Sequence, residues 1–128
     1  MKEVYPIIIS KEKDGLYVSI PDFDIATQGV DLADAIAMAR DAIGVMGIDI
    51  EDSGKELPKP NTKKYKTNEN DIVTLVDVDF KEYRRKNDNR AVKKNCTLPA
   101  WLCKEAEDAG INFSKVLQDA LQNLLNKA

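Results

Sequence analysis

Apolar positions change period along this chain, and the changes mark its elements. Val4 to Ser10 is dense in β-branched residues and predicts a first strand, with Pro6 near its start and hence near a sheet edge. Asp14-Gly15 is a strong hairpin turn. Leu16, Val18 and Ile20 then alternate with Tyr17 and Ser19, the period of a second strand. After the Pro21-Asp22 turn, Ile25 to Gln28 predicts a short third strand ending at Gly29. The period then lengthens to that of a helix. Leu32, Ala35, Ile36, Ala39, Ile43 and Met46 share one face, Asp31 is placed to cap it with Asp34 in the first turn, and Gly47 helps end it. A polar stretch from Asp52 to Asn70, with Pro58 and Pro60, reads as a loop. Ile72 to Val78 is near-continuously apolar, the pattern of a strand covered on both faces. The front half is therefore α+β in the order β-β-β-α-β.

The end of the chain follows another plan. Lys93-Lys94-Asn95-Cys96-Thr97-Leu98 alternates as a short strand and runs directly into two amphipathic helices split by Gly110. The first helix offers Trp101, Leu102, Ala106 and Ala109; the second offers Phe113, Val116, Leu117, Ala120, Leu121, Leu124 and Leu125. This β-α-α layout is that of a ribbon-helix-helix, a module that lays a two-stranded β-ribbon in the major groove of DNA. One short helix cannot cover so wide an apolar stripe. A second copy of the same helices can, and a two-fold dimer is the commonest closed arrangement. The expected dimer core is Cys96, Leu98, Val116, Leu117, Leu121 and Leu124. The alternative is that the helices dock on the rest of their own chain.

Strand parity divides the ribbon residues by role. Cys96 and Leu98 point towards the helices, while Lys93, Asn95 and Thr97 point outward together. Lys94 falls on the inward parity and does not suit a core, which places it at a frayed strand start. Pro99 is tolerated at the first helical position. A cation, an amide and a hydroxyl in one row suit base edges: Lys donates to guanine, Asn pairs bidentately with adenine, and Thr serves either. An ordinary solvated edge strand would also be polar outward, and three residues alone do not choose. At the helix junction Gly110 stops one helix, Ile111 anchors the turn and Asn112 is a good cap for the next. The amides of Phe113 and Ser114 are then left for a DNA phosphate at the positive helix end. Capping alone would also explain Asn112.

Charge sharpens the division. The total is −3, but residues 1–80 hold nine Lys or Arg against sixteen Asp or Glu, a net of −7. Residues 81–128 hold ten against six, a net of +4. Lys81, Arg84, Arg85, Lys86, Arg90, Lys93 and Lys94 concentrate the positive charge before and within the expected ribbon. The acidic half suits a basic partner and the basic stretch suits DNA. The expected organisation is a domain at 1–80, a basic linker at 81–91 and a DNA-binding module at 92–128.

Several function classes are excluded. The chain contains no histidine, which removes a Ser-His or Cys-His nucleophile pair, a His general base and a His-bearing zinc site. Cys96 and Cys103 lack metal-like spacing and do not suggest a disulfide framework. The early apolar run Ile7-Ile8-Ile9 is too short for a signal-peptide core or a membrane span. A reduced, cytoplasmic protein without a cofactor and without a membrane partner is expected.

The front half resembles the HicB family of antitoxins. The resemblance is carried by Tyr5-Pro6, the Asp14-Gly15 hairpin, Pro21-Asp22 through Thr27-Gln28-Gly29, and the helix start Asp31-Leu32-Ala33-Asp34-Ala35. Leu75-Val76-Asp77-Val78-Asp79 with Tyr83-Arg84 also fits. At the end of the chain, Thr97 to Leu102 and Gly110 to Gln118 resemble the branch with a ribbon-helix-helix tail. The ordered set, rather than any one tetrapeptide, covers nearly the whole chain outside the Asp52–Asn70 loop and the hinge. Asp34 stands where the family often has Glu and Asp31 where Thr is frequent; both still serve a helix start.

The resemblance implies a partial, degraded ribonuclease-H-like front domain that binds and blocks HicA, a small basic toxin that cleaves messenger RNA. It also implies a tail that represses the toxin–antitoxin operon by binding its operator DNA. Dimers through the tail, pairing further into tetramers through the front domains, would follow. Toxin-contacting residues are not fixed by this reading. The loop from Pro21 to Asp31, with Asp22, Asp24 and Asp31, is one option, and a solvated turn would look the same. Two other classes stay open. One is a ribbon-helix-helix regulator with a small-molecule-sensing front domain. The other is a metal-dependent nuclease using Asp22, Asp24, Asp77 and Asp79, which would need those carboxylates to converge on hard cations.

Overall fold

In the computed structural model, which describes residues 2–61 and 63–126, the Asp14-Gly15 turn folds the first strand back on the second. Gly15 adopts φ +139°, a conformation open to glycine, and Glu12 faces Gly15 across the hairpin. Strand β1 spans Lys2–Glu12, β2 Gly15–Ile20, β3 Ile25–Gly29 and β4 Ile72–Asp79. They form one antiparallel sheet in the order β3-β2-β1-β4. A 3₁₀ turn at Pro21–Phe23 links β2 to β3, closing on Asp24 at φ 53°.

Helix α1, Leu32–Asp52, starts as its sequence asks. The Asp31 side chain accepts the Asp34 N–H at 2.8 Å, and the Asp34 carboxylate accepts the Val30 N–H at 2.8 Å. The helix lays Ala35, Ala39 and Ile43 on one face of the sheet, against Tyr5, Ile7, Ile9, Val18, Ile20, Val76 and Val78. Alternation along each strand supplies that face, so the core is built from period-2 and period-3.6 patterns meeting. The loop after α1 is stitched to the same layer. The Tyr5 hydroxyl donates to the Pro58 carbonyl at 2.8 Å, the Asn61 N–H donates to Asp22 at 3.1 Å, and Leu57 packs on the core.

Four expectations are corrected here. β1 is an inner strand, yet Pro6 lies in its first half, which pairs with β4 only; pairing with β2 begins at Ile8 opposite Ser19. No N–H is needed on that open side. β4 is covered on one face, not both, and Val73 and Leu75 stand half-exposed on the other. α1 does not end near Gly47 but runs to Asp52 and is capped by Ser53. The expected linker at 81–91 begins with a helix, α2, Phe80–Asn87.

The last two corrections share a cause. A Cβ on Gly47 would fall on Phe80 Cε1 and within 2.9 Å of Cδ1 and Cζ; one on Gly44 would sit 2.5 Å from Tyr83 Cδ2. The two glycines form a notch in α1 that receives two rings of α2. The Tyr83 hydroxyl donates to Asp41 at 2.8 Å, and burial with that hydrogen bond pushes its pKa up to about 12. Arg84 reaches Asp52 at 2.9 Å and Glu51 at 3.5 Å, and Arg90 reaches Asp88 at 2.8 Å and Asp52 at 3.7 Å. Arg84, Arg85, Lys86 and Arg90, which read as part of a linker, are instead paired with acidic groups on α1 and with their own neighbours.

The chain divides into two compact units, Met1–Arg90 and Ala91–Ala128. The second holds α3, Ala100–Asp108, and α4, Phe113–Asn126; residues 127 and 128 of the expected module lie outside the described residues. Pro99 takes the cap position rather than the first helical one, and its carbonyl accepts the Cys103 N–H at 3.0 Å. α3 ends at Gly110, φ +71°, with the Ile111 N–H donating to Ala106 O and the Gly110 N–H to Glu107 O. That double bond pattern is the glycine-dependent stop expected of Gly110.

Candidate functional site

In the second unit the helix junction forms as the residues predict. Asn112 caps α4, its Oδ1 accepting the Lys115 N–H at 3.1 Å while its carbonyl accepts the Val116 N–H at 3.1 Å. Among the described residues no hydrogen bond is made by the amides of Phe113 and Ser114, which sit at the start of the helix. The helix dipole favours negative charge at that end.

Lys93, Asn95 and Thr97 are all exposed in the segment before α3. That segment carries no strand assignment in the single chain, which differs from the expected strand at 93–98. Strands are defined by their ladder of hydrogen bonds, and a ribbon made between two chains has no ladder within one. Cys96 is exposed as well and Lys94 faces solvent, so parity does not separate an inner from an outer row here.

The stripe assigned to a dimer core is uncovered. Leu98, Val116, Leu117, Leu121 and Leu124 are 40–67 % exposed, and no described residue of the second unit is buried. Among the described residues of the unit only Cys103 and Ala106 are partly shielded. A unit that leaves this much contiguous apolar surface in water lacks the burial that normally offsets chain entropy. Trp101 at 64 % exposure adds to the same surface.

In the first unit three of the four carboxylates of the nuclease reading, those of Asp22, Asp77 and Asp79, are engaged within the fold. Asp22 accepts the Asn61 N–H and Asp79 caps α2 by accepting the Glu82 N–H, whereas Asp24 closes the 3₁₀ turn with its backbone N–H, donated to the Pro21 carbonyl. Asp77 binds Arg40 at 3.1 Å and lies 3.8 Å from Lys2, and the Arg40 hydrogen bond holds its carboxyl below the usual range. Among the described residues no three potential metal ligands cluster. Of the acidic residues proposed for the toxin-facing loop, Asp22 and Asp31 thus have structural work as hydrogen-bond acceptors. No helix among the described residues is long and apolar enough to cross a membrane.

Comparison with known proteins follows the same lines. Residues 5–120 match the family model of the HicB-like antitoxin of bacterial toxin–antitoxin systems. An uncharacterised 14.9 kDa protein from the rep–hol intergenic region of Haemophilus phage HP1 is 36% identical, over 77% of this chain and 75% of the phage protein. A chain of a toxin–antitoxin complex from Streptococcus pneumoniae shares the fold with a TM-score of 0.60 and 26% identity, covering 96% of this chain and 99% of that one. The antitoxin HicB of Burkholderia pseudomallei has the same fold, with a TM-score of 0.53 and 19% identity over 98% of both chains.

Proposed function

This chain belongs to the HicB-like antitoxins of bacterial toxin–antitoxin systems, and from that premise we propose a division of labour between its two units. Antitoxins of this family are not enzymes, and neither is this chain. The first unit neutralises a HicA-type toxin by binding it. The second is a ribbon-helix-helix that dimerises and represses the operon by holding operator DNA. Both tasks belong to the cytoplasm.

One observation carries the second half of this reading: the apolar stripe of α3 and α4 is exposed in a unit none of whose described residues is buried. A two-fold copy covers that stripe and brings the two 93–98 segments together as a ribbon. Lys93, Asn95 and Thr97 then face base edges, and the Phe113 and Ser114 amides with Asn112 face a phosphate. The first half rests on the acidic net charge of residues 1–80 and on the likeness to a chain of a toxin–antitoxin complex. An RNA-gripping toxin is basic, and complementary potential speeds and selects its capture.

Two measurements test the proposal. Co-expression with its cognate HicA-type toxin should restore growth that the toxin alone arrests. On operator duplex, Asn95→Ala should cost about 1–3 kcal/mol of affinity and relax sequence preference. A variant that discriminates specific from scrambled duplex as well as the parent removes Asn95 from the interface.

A further inference from the structure

Three of the exposed apolar areas of the first unit are distinguished by their charges. On the open face of β4, Val73 and Leu75 neighbour Asp77, which Arg40 and Lys2 already neutralise. Beside the junction of α1 and α2, Val45 lies near Asp52 and Asp88, which Arg84 and Arg90 occupy. The third area is the corner where β3 turns into α1, beside the β1–β2 hairpin. There Val30 is 80 % exposed and Leu32 50 %, with Tyr17 and Met38 at 40 % each.

This corner is concave and acidic. Tyr17, Val30 and Met38 line one hollow with Glu12, Asp14 and Asp34, and an adjoining hollow joins Val30 and Leu32 to Asp31. Among the described residues none of Glu12, Asp14, Asp31 and Asp34 forms an ion pair. Lys11 and Lys13 flank the hairpin side, so the corner keeps an excess of negative charge. Its carboxylates are therefore available to cations from outside the chain.

The corner is also rigid. The Val30 N–H is held by Asp34 and the Asp34 N–H by Asp31. At Gly29 the strand approaches α1 so closely that a Cβ would lie 2.5 Å from Ala35 N and Cα. The exposed Val30 side chain is thus presented from a fixed backbone, which lowers the ordering cost of docking on it.

We propose that this β3–α1 corner is the surface on which the first unit docks its basic toxin, with Val30, Leu32 and Met38 as apolar anchors inside an acidic rim. The assignment rests on the antitoxin reading above and goes beyond it by choosing one face of the unit. It fits how such interfaces work: a few central residues supply most of the affinity, and the charged rim governs association.

The test titrates the cognate HicA-type toxin, a small basic protein, onto the full-length chain and its variants. Val30→Lys and Met38→Lys are expected to weaken binding by about tenfold or more, as loss of a central anchor does. Leu75→Lys and Val45→Lys, on the other two apolar areas, are expected to stay within about twofold, the range of contacts outside an interface. Glu12→Lys should slow association and flatten its salt dependence. Circular dichroism confirms that each variant is folded, and two anchors on different elements guard against a single misfolded one. The proposal is overturned if both corner variants bind as the parent does, whatever Leu75→Lys and Val45→Lys do. If the parent itself fails to bind the basic protein, the antitoxin reading of the first unit falls, which is a separate result.

Discussion

Gly47→Ala is an informative substitution because two effects of similar size oppose each other there. Alanine in a helix interior is favoured over glycine by about 1 kcal/mol. Against that, the new methyl would land on Phe80 Cε1 and within 2.9 Å of two further ring carbons. Phe80 is 3% exposed and belongs to the core, so the ring has little room to yield. Overpacking of this kind costs about 1–3 kcal/mol, and the depth of overlap points to the upper part of that range. We expect Gly47→Ala to destabilise the first unit by about 1–2 kcal/mol, the clash exceeding the propensity gain. In a Phe80→Leu background Cε1 and Cζ, including the carbon on which the methyl falls, are gone. There the same substitution should be neutral or stabilise by up to about 1 kcal/mol, leaving a coupling of about 2 kcal/mol between the positions. Urea unfolding followed by circular dichroism supplies the comparison, with fluorescence of the single tryptophan, Trp101, reporting the second unit separately. A Gly47→Ala variant more stable than the parent, or one with the same effect in both backgrounds, would refute the ring-in-notch account.

Other expectations follow from the same contacts. Leu121→Asp places a charge on the exposed stripe of α4 and should abolish assembly and operator binding while the first unit stays folded; light scattering with separate unit melts decides it. A fragment ending at Arg90 should fold and neutralise the toxin, whereas one ending at Lys81 loses Tyr83 and Arg84, leaves the Gly44 half of the α1 notch open and should melt lower. Tyr83 prefers its neutral form when folded, so its contribution is intact below about pH 10, the unfolded value, and is lost as pH rises towards the folded value of about 12. Ultraviolet titration of Tyr83→Phe should therefore lack one late-titrating phenol; loss of a phenol titrating near 10 instead would contradict the burial argument.

What the sequence made legible was whatever local chemistry alone decides. The alternation of β2, the Asp14-Gly15 turn, the Asp31 cap and the Gly110 stop all appear where their residue types place them. What it hid is tertiary. Phe80 to Asn87 has Phe80 and Tyr83 as its large apolar residues amid five charged ones, too few for an amphipathic stripe, and it is helical because those two rings find Gly44 and Gly47. The same partnership explains why Gly47, locally a helix stop, sits inside α1. The β3–α1 corner was equally hidden, since its residues come from a hairpin, a strand, a junction and a helix. Sequence spacing does not bring Tyr17 beside Met38; the sheet order does. The 93–98 strand differs from these in kind, because its partner on the proposed reading is another chain.

That difference has a consequence for how the two proposed activities respond to concentration. The first unit closes its core within one chain, with α1, α2 and the 57–61 loop covering one face of the sheet. Its folding, and hence toxin capture, need not depend on how many copies are present. The second unit exposes its apolar stripe, so on the proposed reading its folding is linked to dimerisation and rises with protomer concentration. Operator binding then inherits that dependence and toxin capture does not. On that reading the chain should withdraw from DNA first when its level falls, releasing transcription of its own operon while each remaining copy still holds a toxin. The order of the two losses is set by where each unit finds the cover for its hydrophobic face.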